Sequence, residues 1–91
     1  MSASYKITTQ PSEQSVTILL NGNFSEDALA VLDESLSAAR DAHQNVVMDL
    51  TEVTLMDRKA VQYLVDQTLN NVKIVNCPVY LRRWIKVSDE G

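Results

Sequence analysis

Charged side chains stand where a helix is predicted to begin, in the segment TLMDRKAVQYLV at residues 54–65. Asp57 is a good helix cap, because its carboxylate can accept hydrogen bonds from the free N–H groups of a first turn. Arg58 and Lys59 follow it directly. Cations at a helix start oppose the partial positive charge of that end, by about 0.3–1 kcal/mol each at an exposed site. The pattern therefore indicates either a surface whose charge serves recognition or two solvated side chains.

The other reactive side chains do not form a catalytic set. His43 is the one histidine and lies at the end of a predicted helix. Cys77, the one cysteine, comes between a predicted strand and Pro78, where a buried thiol is expected. Gly22 and Gly91, the two glycines, do not make a phosphate-binding loop. We therefore expect a non-enzymatic protein with no cofactor and no metal site.

Composition narrows the classes of partner. The 91 residues predict a single domain over 1–91, with 86–91 as a frayed tail. The net charge of −4 argues against nucleic acid as the main partner, since phosphate binding needs a surplus of Lys and Arg. No apolar run approaches the roughly 20 residues that span a bilayer, so no direct membrane insertion is expected. These features predict a cytoplasmic protein.

Hydrophobic periodicity predicts the element order β-β-α-β-α-β-α. Such an order is typical of an α/β fold, here a mixed four-stranded sheet with helices packed on one face. Ser25 is the expected N-cap of the first helix, and Asp57 that of the second. The strands are predicted within 5–10, 16–24, 45–57 and 70–77, and the helices within 25–43, 57–69 and 78–85.

Apolar residues recur at helical spacing in the first two helices and are predicted to face the sheet. They are Leu29, Leu32, Leu36 and Ala39 in the first helix, and Val61, Leu64, Val65 and Leu69 in the second.

The segment VVMDLTEVTLMDRKAVQYLV, residues 46–65, resembles the core signature of the STAS family, the sulfate transporter and anti-sigma antagonist domains. The matching elements are 46–50, Val53, Leu55, Met56 and Asp57. In the bacterial anti-sigma factor antagonists of this family, the residue after the Asp is a Ser or Thr that a partner kinase phosphorylates. Here that residue is Arg58, which has no hydroxyl, so the resemblance implies a STAS-like domain without the usual phosphorylation site.

The resemblance also implies a protein-binding surface and a partner, namely a serine-kinase-type anti-sigma factor or a regulatory complex containing one. Phosphorylation of another hydroxyl, for example Ser25 or Thr54, would move the switch instead of removing it. Alternatives are the small STAS subunit of a lipid-transport ABC system, a nucleotide- or small-anion-binding STAS domain, and a homodimer formed by edge pairing. The expected partner-binding residues are Asn23, Ser25, Met56, Asp57, Arg58 and Lys59.

Overall fold

The structure, a computed structural model, describes residues 5–42 and 45–83. The predicted element order β-β-α-β-α-β-α is confirmed within them. The candidate histidine His43 and the predicted tail at 86–91 lie outside the described residues. In the described part of the chain, no helix is both long and apolar enough to cross a membrane. The elements are β1 (Tyr5–Pro11), β2 (Ser15–Phe24), α1 (Glu26–Asp41), β3 (Asn45–Met56), α2 (Arg58–Thr68), β4 (Lys73–Val75) and α3 (Val79–Arg82).

The strands form the predicted mixed sheet, in the order β1-β2-β3-β4. β1 and β2 are an antiparallel hairpin, whereas β2–β3 and β3–β4 are parallel pairs. Parallel neighbours require a crossover, and α1 and α2 supply the two crossovers. Because each helix follows the carboxyl end of a strand, α1 and α2 both begin at the same end of the sheet.

One face of the sheet carries the core. Side chains alternate along a strand, and every second residue is buried from Val16 to Leu20 in β2 and from Val46 to Leu50 in β3. These residues pack with apolar residues of α1 and α2, so the prediction of helices on one face is confirmed. Burying such side chains contributes about 1.5–3 kcal/mol each. The shared core includes Val16, Ile18 and Leu20 of β2, Val46, Met48 and Leu50 of β3, Leu32 and Leu36 of α1, and Leu64 of α2.

Two local features set the ends of the elements. Gly22 has φ 98°, a region that favours glycine, and the register between β2 and β3 shifts directly after it. Asn71 has φ 70° in the turn that follows α2, a conformation that asparagine tolerates better than most residues. The described part of the last helix spans Val79–Arg82, and Pro78 is its N-cap, not its first helical residue as predicted, because its ψ of 147° is extended.

Candidate functional site

The predicted site residues gather at the end of the sheet where β2 and β3 finish. Because these strands are parallel, their last residues lie side by side, and Asn23 pairs with Leu55 and Phe24 with Met56. The backbone N–H of Asp57 donates to the carbonyl oxygen of Phe24 at 3.0 Å. The two segments expected to share a surface, 23–25 and 56–59, are therefore adjacent.

Asp57 joins the starts of both long helices. Its Oδ1 accepts from the N–H of Ala60 at 2.9 Å, which confirms the predicted cap of α2. Its Oδ2 accepts from the N–H of Glu26, the first residue of α1, at 3.1 Å. Ser25 is the N-cap residue of α1, as predicted, although its side chain makes no capping hydrogen bond.

Lys59 is directed toward α1. Its Nζ lies 3.3 Å from Glu26 Oε2 in an ion pair, with both side chains about two-thirds exposed, at 68% and 65%. Glu26 therefore supplies the negative charge that the first turn of α2 lacks. An exposed pair of this kind is worth at most about 1 kcal/mol, so it offsets the unfavourable placement of Lys59 without adding much stability.

Arg58 lies on the other flank of α2, toward α3. It lines a half-open groove of about 510 Å³, which we call the α2–α3 groove. Met56 contributes to the lining, although it is only 8% exposed and offers little surface to a partner. Apart from Arg58 and Gln62 the lining is apolar. The α2–α3 groove is formed by Met56, Arg58, Val61, Gln62, Val65 and Leu81.

Polar side chains continue along the contact between α1 and α2. The Tyr63 hydroxyl donates to Asp33 Oδ1 at 2.8 Å, and Arg40 donates to Oε1 of the buried Gln67. Burial and the Asp33 carboxylate raise the pKa of Tyr63 well above its ordinary range, with a small opposing effect from Arg40. Together with Lys59 and Glu26, these pairs form what we call the α1–α2 seam.

The remaining reactive groups serve structure. Cys77 is buried, as predicted, and burial raises the pKa of its thiol although the Arg82 cation lowers it slightly. Burial also raises the pKa of Asp49, but hydrogen bonds from Thr51 and Asn76 outweigh it and hold that pKa below its ordinary value. Within residues 5–42 and 45–83, no three His, Cys, Asp or Glu side chains are grouped to hold a metal ion.

Sequence reasoning missed two parts of this site. Glu26 was visible only as an acid in a first turn, because its contact with Lys59 joins residues 33 positions apart. Val61 and Val65 pack against the core as predicted, but both are only half-buried and also line the α2–α3 groove. An apolar stripe wider than the sheet can cover was the available signal.

Comparison with known proteins supports the fold. No protein-family model and no curated protein sequence matches this chain. A solved structure does: an uncharacterized protein from the DUF3478 family with a SpoIIAA-like fold, from Shewanella loihica PV-4. The match has a TM-score of 0.59 and 15% sequence identity, and it covers 91% of this chain and 77% of the other. This chain therefore has a SpoIIAA-like, that is STAS-like, fold.

Proposed function

We propose that this chain is a non-enzymatic STAS-like protein-interaction module, acting in the bacterial cytoplasm, that binds its partner through the start of α2 in one fixed charge state. The observation that carries the proposal is the placement of Arg58. It is exposed, it stands where the resemblance places a phosphoacceptor hydroxyl, and it borders an apolar groove. The partner implied by the resemblance is a serine-kinase-type anti-sigma factor or a complex containing one.

The charge at this position cannot be switched by a kinase. A guanidinium stays protonated at every physiological pH, and it has no hydroxyl to accept phosphate. In a switchable relative, added phosphate would place negative charge on the fitted surface and disrupt it. With Arg58 the surface keeps a positive charge, so we expect binding that does not respond to phosphorylation at residue 58.

The geometry favours a protein over a nucleotide or a small anion. The start of α2 would attract an anion through its free N–H groups, but Asp57 already places a carboxylate there, bound to Ala60 N–H at 2.9 Å. Lys59 is partly neutralised by Glu26. Arg58 has no ion-pair partner among the described residues, and an apolar groove beside such a cation suits a protein side-chain surface better than a phosphate group.

The two adjacent cations allow a matched test. Wild-type protein and the variants Arg58→Ser and Lys59→Ser are used to capture partners from native lysate, and affinities are then measured with the purified captured protein. We expect Arg58→Ser to weaken binding by about fivefold at low salt and to flatten its salt dependence, because an exposed charge is screened. Lys59→Ser should change affinity less, since Lys59 faces Glu26.

The outcomes separate the candidate partners. Capture of a kinase-type protein supports an anti-sigma factor as the partner. Capture of a transporter ATPase supports the alternative that the chain is a subunit of a lipid-transport ABC system. Equal binding by all three proteins would overturn the role of Arg58. Thermal stabilisation by nucleotide alone would instead support a nucleotide site.

A kinase assay checks the absence of the switch. Incubation with the captured kinase and ATP should leave the chain without phosphate at the start of α2. Phosphate at Ser25 or Thr54, found by mass spectrometry, would show that the switch has moved.

A further inference from the structure

The α2–α3 groove exposes apolar surface that the described chain leaves open. Val61 and Val65 lie one turn apart on α2 and are half-buried, and Leu69 continues the same stripe at 80% exposure. Leu81 is the buried residue that α3 contributes to the groove. The described α3 has four residues, so it covers only part of the stripe.

The groove is positively charged on an acidic molecule. Among residues 5–42 and 45–83, the lining contains Arg58 and no carboxylate. α3 adds the exposed Arg82, and Arg83 follows it. Asp66 is not part of the lining, but it accepts a hydrogen bond from a lining residue: Gln62 Nε2 donates to Asp66 Oδ1 at 3.3 Å. The chain as a whole has a net charge of −4, so this cationic margin is local, and its electrostatic complement is a carboxylate.

The shape of the groove selects a helix over a strand. The groove lies between two helices, where no strand edge offers backbone groups to an extended peptide. Seven positions separate Arg58 from Val65, which is two helical turns or about 10 Å. A helix with apolar residues at i and i+4 can place both side chains against this stripe.

We infer that the α2–α3 groove docks an acidic amphipathic helix of the partner protein, with its apolar side chains against Val61 and Val65 and a carboxylate beside Arg58. This inference rests on the proposed function for the existence of a protein partner. It adds the chemistry of the partner's segment and the flank of α2 on which that segment lies.

A designed peptide tests the inference on the full chain. The probe is a helix of about 14 residues, a length at which an isolated helix is marginal, so a staple keeps it helical. It carries Leu at i, i+4 and i+7 and Glu at the flanking positions. A matched peptide carries Lys in place of Glu. Binding is followed by NMR shifts of backbone amides and methyl groups at low salt. We expect shifts centred on Arg58, Val61, Val65 and Leu81, and about fivefold weaker binding of the Lys peptide.

Variants locate the contact. Val65→Glu should weaken peptide binding at least 30-fold or so, because docking would bury an unpaired charge. Val65→Thr is a milder change, and its peptide binding is measured instead if Val65→Glu does not fold. Val31→Glu is the matched control: Val31 is 43% exposed on α1, away from the groove, and its replacement should leave binding unchanged.

Several results would overturn the inference. One is the absence of saturable binding at peptide concentrations up to about 1 mM. The others are equal binding of the Glu and Lys peptides, and NMR shifts that centre on α1 or on the open face of the sheet. A dimer in light scattering that Val65→Glu dissociates, without peptide binding, would assign the groove to a second copy. If Val65→Glu leaves affinity for the captured partner intact while Arg58→Ser lowers it, the groove inference fails and the proposed function stands.

Discussion

The two flanks of α2 are built in contrasting ways. Toward α1, polar pairs run the length of the helix: Lys59 with Glu26, Tyr63 with Asp33, and Gln67 with Arg40. Toward α3, the α2–α3 groove is lined by valines and by Arg58, which has no ion-pair partner among residues 5–42 and 45–83, and the described part of α3 forms its far wall. The α1–α2 seam satisfies its polar groups inside the chain, whereas the groove has apolar surface that the described residues do not cover.

This contrast bears on the binding surface that we propose. Hydrogen bonds with defined donors and acceptors fix the position of α2 relative to α1, while each contributes only about 0.5–1.5 kcal/mol. Asp57 fixes both helix starts through one carboxylate. Under the proposed function, the groove flank is thereby held in place before a partner arrives, which would lower the ordering cost of binding.

The largest expected effect comes from removing the carboxylate that joins the two helices. Asp57→Ala removes the acceptor for both Ala60 N–H and Glu26 N–H, and we expect a loss of about 2 kcal/mol in the free energy of unfolding. Urea denaturation measures it. Asp57→Asn keeps one carbonyl acceptor and should lose about half as much. Wild-type stability of Asp57→Asn, beside a loss of about 1 kcal/mol in Asp57→Ala, would mean that only one of the two helix starts depends on Asp57.

Alanine substitution of one glutamine on each flank compares their contributions to stability directly. Gln67 is buried in the α1–α2 seam, where Arg40 donates to it, and Gln62 is exposed on the groove flank. Gln67→Ala loses packing and a hydrogen bond from a charged donor, so we expect a loss of about 1.5 kcal/mol. Gln62→Ala should stay within about 0.5 kcal/mol of wild type, as surface substitutions usually do. Similar losses in thermal unfolding would contradict the contrast between the flanks.

The hydrogen bond between Tyr63 and Asp33 makes the free energy of unfolding depend on pH. Tyr63→Phe removes the hydroxyl that donates to Asp33, at an expected cost of about 1 kcal/mol or less. The pKa of Tyr63 is raised in the folded state, so above about pH 10 the folded chain keeps a proton that the unfolded chain has released. That contribution to stability is complete below pH 10 or so and is lost as the pH rises through the folded-state pKa.

The measurement is the free energy of unfolding between about pH 9 and pH 11. Wild type should lose more stability than Tyr63→Phe over this interval. Tyr80→Phe is the control on the other flank: burial raises the pKa of Tyr80 too, with a smaller effect from Cys77, but Tyr80 lies on α3 outside the seam. If Tyr63→Phe loses as much stability as wild type over this interval, Tyr63 is not the source of the pH dependence.

The sequence was sufficient for the order of the elements and for one cap. Hydrophobic periodicity gives strands and helices from local spacing, and Asp57 precedes α2 by one residue, so both are local signals. The contact of Asp57 with Glu26 is not local: 31 residues separate them, and only the pairing of β2 with β3 makes them neighbours. Periodicity likewise assigned Val61, Val65 and Leu69 to the face toward the sheet, but Val61 and Val65 are only half-buried and Leu69 is 80% exposed. What covers an apolar face depends on tertiary packing, which helical spacing does not encode.

The smallest expected effect is the difference in stability between variants of Arg58 and Lys59, the two cations with which α2 begins. Arg58→Ser removes a charge that opposes the helix dipole and has no ion-pair partner among residues 5–42 and 45–83, so stability should rise by about 0.5 kcal/mol. Lys59→Ser removes a similar charge but also its ion pair with Glu26, and the two effects should nearly cancel. Thermal unfolding at low salt measures both. Raising the salt concentration should bring the two variants together, because screening weakens the dipole effect and the ion pair alike. If Lys59→Ser stabilises the chain as much as Arg58→Ser does, the pair with Glu26 contributes nothing, and the electrostatic part of the contrast between the two flanks of α2 is lost.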